Sequence, residues 1–108
     1  MNLSDAQIQQ AFDTLNSDEG AKARAAHEWM QETRKTVMAR LSSQSNLKTI
    51  GEREAWALQH PDYIAHLAEQ RRCAEADYTA RNRQTAALAI LDAWRTQSAN
   101  NRGLERVR

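Results

Sequence analysis

The sequence predicts an all-α fold: a long antiparallel helical hairpin, coiled-coil-like, with one or two short extra helices. Three observations carry that expectation. Nineteen of the 108 residues are Ala, the strongest helix former, against only three Gly and one Pro. Apolar residues recur at intervals of three and four rather than two. From Pro61 to Gly103 no residue breaks a helix. The chain is short enough for one domain. Leu, Ile, Val and Phe total sixteen, a thin supply that suggests disorder only where net charge is large, and here it is +1. The few large side chains are expected between helices or between subunits.

Residues 1–17 hold the first element. Ser4 and Gln7 have the spacing of a capping box, and Ile8, Phe12 and Leu15 form one apolar stripe, predicting a short helix from Asp5 to Asn16. A second helix is expected within residues 18–45. Asp18 and Glu19 suit its positive N-terminal end, Lys35 and Arg40 its negative C-terminal end. Ala21, Ala25, Trp29, Thr33, Val37 and Leu41 form a row at intervals of four, with Met30 and Met38 beside it, and read as core. The polar run Ser42 to Asn46 reads as a loop.

Residues 49–60 open with Thr49 and Glu52, a second capping box, and continue through Trp56 and Leu58. His60-Pro61 closes this short helix, since a proline disfavours helix at the residue before it and suits the first turn of the next. The last helix spans 61–103, about 60 Å at 1.5 Å per residue. A strict heptad through Ile64, Leu67, Arg71, Ala74, Tyr78, Arg81, Thr85 and Leu88 is too polar to be a self-sufficient zipper, so the second helix is expected to complement it. Glu69 to Gln84 is polar enough to be solvated or to form an assembly surface. Leu104 to Arg108 is expected to fray.

Composition also excludes classes of protein. One cysteine, Cys73, allows no internal disulfide and favours the cytosol. The opening stretch has no basic region followed by an apolar run, so no signal peptide is expected. The longest apolar run, Ala86 to Trp94, is too short for a bilayer and contains Asp92, so no membrane partner is expected. A helical zinc motif begins at His27-Glu28 but fails at Gln31, and His60 and His66 fall on different faces. Cys73 has no histidine near it in sequence and reads as a packing residue. With no phosphate-cradling glycine loop and no nucleophilic triad, neither a cofactor, a metal nor an enzymatic activity is expected.

Charge carries more information than its sum. Residues 1–70 hold seven basic and ten acidic side chains, a balance of −3; residues 71–108 hold eight Arg and four acids, a balance of +4. Arginine grips phosphates and carboxylates through a planar fork, so Arg71, Arg72, Arg81, Arg83, Arg95, Asn100 and Arg102 form the candidate binding set for a nucleic acid or partner. Arg106 and Arg108 extend the group. Interleaving with Tyr78 and Trp94 suits single-stranded nucleic acid, where bases stack and phosphates pair. The alternative is a solvated face whose arginines pair with nearby Glu. Trp29, Val37, Leu41, Trp56, Leu67, Leu88, Leu91 and Trp94 are the expected structural or oligomer core.

Glu52-Arg53-Glu54-x-x-Ala57, Pro61-x-Tyr63 and Ala93-Trp94-Arg95-x-x-x-x-Asn100-x-Arg102 together resemble small helical proteins of tailed-phage recombination modules. The plan is also similar to UvsY-like recombination mediators. The resemblance covers about residues 50–103. It implies a cytoplasmic homo-oligomer that binds single-stranded DNA and assists a recombinase against single-strand-binding protein, with Arg95, Asn100 and Arg102 as the contact residues. The low net charge departs from that pattern. Two other readings therefore stand beside it: a small phage inhibitor docking on a host defence or nuclease complex, and an assembly factor that only oligomerises.

Overall fold

The computed structural model describes residues 2–107, with side chains through Arg106. Four helices and no strand occur among them: α1 Asp5–Asn16, α2 Glu19–Gln44, α3 Ile50–Gln59 and α4 Pro61–Val107. The expected all-α hairpin is the observed architecture. Its punctuation is local chemistry. Ser4 caps α1 through the reciprocal box, its Oγ accepting from the Gln7 N–H while the Gln7 side chain accepts from the Ser4 N–H. Thr49 Oγ1 accepts from the Glu52 N–H to open α3. His60 ends α3 and begins α4, because its Nδ1 accepts from the Asp62 N–H at 3.0 Å while Pro61 takes the first helical position.

The chain divides into two compact units, residues 21–78 and residues 1–20 with 79–108. In the first, α2 runs antiparallel to the start of α4: Arg40 approaches Asp62 at 3.9 Å and His27 contacts Asp77 at 2.8 Å, so rising numbers on one helix meet falling numbers on the other. Leu41, Ala57 and Tyr63 form its buried cluster, with Val37 and Met38 against them, which fastens α3 across the end of this helix pair. In the second unit α1 runs antiparallel to the later part of α4. Ala11, Ala87 and Leu91 are buried together, flanked by Ile8, Leu15, Ile90 and Trp94, and Trp94 meets Phe12 edge to face at 6.0 Å between ring centres. The complement to Leu91 and Trp94 is therefore α1, where the sequence alone pointed to α2.

The buried side of α4 follows a strict heptad, Tyr63, His66, Gln70, Cys73, Asp77, Ala80, Gln84, Ala87, Leu91, Trp94 and Ser98, every member buried or half-buried. This is one residue behind the expected heptad, all of whose members except half-buried Ala74 are exposed. The reason is polarity. Hydrophobic periodicity favours the row with Ile64, Leu67, Tyr78 and Leu88, whereas the chain buries small and hydrogen-bonding side chains that let the helices approach.

The row on α2 is corrected too. Steps of four advance about 40° around a helix with 3.6 residues per turn, so a row of five such steps cannot stay on one face. Ala21, Ala25 and Trp29 are exposed, while Thr33, Val37 and Leu41 turn inward. The inward face higher up is Ala23, His27 and Met30. Finally, α4 does not stop at Gly103. That glycine has no positive φ, and Leu104 to Val107 continue the helix instead of fraying. A single Gly costs about 1 kcal/mol in a helix, and the neighbouring Arg102, Leu104, Glu105 and Arg106 are all good formers.

Candidate nucleic-acid interface

Position on a helix decides which arginines act together. In the second unit Arg81, Leu88, Arg95 and Arg102 share one heptad position, each about 10 Å along the axis from the next. Thr85, Asp92, Ala99 and Arg106 lie beside that line, and Asp92 is the one carboxylate among these eight positions. All of these are exposed. Arg95 holds Asp92 at 3.6 Å across one turn. Arg102, Arg106 and Asn100 make no hydrogen bond or ion pair among the described residues, and Asn100 sits off the line. Arg83 belongs to another face, where its Nη1 donates to Glu19 at 3.3 Å. Arg108 lies outside the described residues.

Arg71 and Tyr78 belong to the other unit. Arg71 shares the exposed side of α4 with Ile64, Leu67 and Tyr78 and pairs with Glu75 at 3.2 Å; Arg72 points elsewhere and pairs with Glu69 at 2.5 Å. Tyr78 packs edge-on against His27, with ring centres 5.6 Å apart. The seven candidate residues therefore do not form one cluster. Three of them, Arg81, Arg95 and Arg102, form a row; the remaining four are distributed over other faces.

Four of the arginines, Arg71, Arg72, Arg83 and Arg95, engage exposed carboxylates. Such surface pairs contribute about 0–1 kcal/mol each, so they orient the side chains without committing them against a stronger anion. The candidate core residues divide in the same way. Leu41 and Leu91 are buried and Val37 and Trp94 half-buried, while Trp29 is 64% exposed, Leu88 54%, Leu67 39% and Trp56 38%, the last tilted against His60. The last four lie outside the chain's own core.

The chain matches no protein-family model, no curated protein and no solved structure. No helix among the described residues is long and apolar enough to cross a membrane, and no group of three or more His, Cys, Asp or Glu is placed to hold a metal ion.

Sequence reasoning passed over the pair that lies deepest. His27 Nδ1–H donates to Asp77 Oδ2 at 2.8 Å, and Asp77 is 1% exposed. Nearby, His66 Nε2–H donates to the Met30 carbonyl at 2.9 Å, and the buried Gln70 Oε1 has no partner among the described residues. This polar lining holds the helices in register, and buried carboxylates and imidazoles are stable there only when paired. A signal existed in the spacing of His66, Gln70, Cys73 and Asp77, but it is a polar heptad and does not register as hydrophobic periodicity.

Proposed function

We propose that this protein is an oligomeric accessory of phage-type DNA recombination, cytoplasmic in the host, that binds single-stranded DNA through Arg81, Arg95, Arg102 and Arg106. The observation that supports this is the heptad row itself: arginines at intervals of seven or fourteen on one exposed side of a helix, with a single carboxylate among them. A flexible strand laid along that row meets guanidiniums about 20, 10 and 6 Å apart, and Leu88, between Arg81 and Arg95, offers an apolar contact to a base. Affinity comes from phosphate neutralisation, and several subunits on one strand multiply weak contacts. A recombinase or single-strand-binding protein is the partner this role implies.

The test is binding of a labelled oligonucleotide across a salt series. Four phosphate contacts give a slope of log K against log salt of about −3, and Arg95→Ala with Arg102→Ala reduces it by about 1.4. No binding at low salt, or a slope unchanged in the double variant, sinks the proposal. A second reading, an inhibitor acting by protein contact on a host defence or nuclease complex, is favoured by the exposed Trp29 and Ile64, since large apolar side chains in water suit a protein surface. It expects no oligonucleotide binding and a stoichiometric complex with the host machine.

A further inference from the structure

Within the unit of residues 21–78, the end of α2, the start of α3 and the first turn of α4 enclose an open cleft of about 730 Å³. That volume falls within the usual size of a small-molecule site. Its polar wall carries Arg34, Lys35 and Arg53, opposed by one carboxylate, Glu54; its apolar wall is Met38, Ile50 and Tyr63. Three cations against one anion leave a local charge of about +2, which complements the −1.5 to −2 of a phosphate monoester at neutral pH. Two guanidinium forks and an ammonium are also the donors that phosphate oxygens prefer.

The cations are available in different degrees. Arg34 and Lys35 make no hydrogen bond or ion pair among the described residues. Arg53 is braced, its Nε–H donating to the Leu47 carbonyl at 2.6 Å, so its two terminal nitrogens are held in place for an anion. Tyr63 lines the cleft and is 8% exposed, so its ring is a fixed part of the apolar wall.

We propose that this cleft binds an organic phosphate monoester, the dianionic head held by Arg34, Lys35 and Arg53, and an apolar body resting on Met38, Ile50 and the Tyr63 ring. The site is separate from the arginine row of α4 and does not depend on it. The same chemistry is offered by a free small molecule and by the 5′-phosphate end of a DNA strand.

The experiment is a titration of the full chain, followed by amide chemical shifts, with phenyl phosphate, inorganic phosphate and phenol. Phenyl phosphate is expected to shift amides of residues 34–43 and 50–63 and to bind at least tenfold more tightly than either fragment. Arg34→Ala with Lys35→Ala is expected to weaken it at least tenfold with helicity unchanged. Equal binding by the double variant, or phenyl phosphate no tighter than phenol, overturns the proposal. A 5′-phosphorylated oligonucleotide that shifts these amides where its 5′-hydroxyl counterpart does not assigns the ligand to a strand end; shifts with phenyl phosphate alone assign it to a free small molecule.

Discussion

His27 and Asp77 meet in a helix seam where hydrophobic side chains would give more burial energy, and their pairing sets what each substitution does. Removing the imidazole takes from the buried Asp77 side chain a hydrogen bond of 2.8 Å. Loss of one partner of a buried polar pair costs about 1–3 kcal/mol, more for a charged group, whereas replacing both with apolar residues is often neutral. His27→Leu is therefore expected to destabilise the chain by about 3 kcal/mol in denaturant unfolding. His27→Leu with Asp77→Leu is expected to recover most of that loss. A double variant as unstable as the single one would show that the pair does not act as a unit. Residues of this kind were hard to read in the sequence. His27 stands out there only as half of a failed metal motif, and Asp77 only as one acid in a polar stretch, because partnership across fifty residues leaves no local trace. The Ser4 and Thr49 caps, by contrast, satisfy backbone groups three residues away and were legible at once.

At the scale of the element the same contrast recurs. Helix starts and types were legible, since capping and breaking are local, and α1 lies where its stripe and box put it. The face that each long helix buries was not. Hydrophobicity ranks the row of Ile64, Leu67, Tyr78 and Leu88 above the row of Gln70, Asp77, Gln84 and Ala87, yet the second is inside. Close approach explains it. Ala80 and Ala87 give room, and the Gln84 side-chain amide lies over Gly20. Two adjacent residues separate these registers. Ala87, 3% exposed, sits between α4 and α1, and Ala87→Glu buries both a charge and extra bulk, for an expected loss of about 3 kcal/mol. Leu88→Glu changes an exposed side chain and is expected to stay within about 0.5 kcal/mol of the parent. Thermal unfolding by circular dichroism at low protein concentration checks both, and the reverse order would restore the register that hydrophobicity favours.

For the whole chain, the net charge of +1 joins an acidic part to a basic one, and the basic part is entirely Arg. Three or four surface guanidiniums on one helix give one copy only weak affinity for single-stranded DNA, since each contact adds a salt-sensitive increment. A role beside a recombinase needs more, and the exposed Ile64, Leu67 and Trp29 supply apolar surface through which copies can associate. If association is what makes binding useful, two measurements move together. Light scattering is expected to give a mass that is a multiple of 12.3 kDa. Affinity for oligonucleotides is expected to climb steeply as the strand becomes long enough to engage a second subunit, because the second contact is made at high effective concentration. Ile64→Glu with Leu67→Glu, both exposed and outside the arginine row, is expected to reduce the mass towards the monomer and to flatten the length dependence, leaving short-strand binding within about twofold. A monomer whose affinity ignores strand length would remove avidity from the mechanism and leave the arginine row as a surface for protein contact.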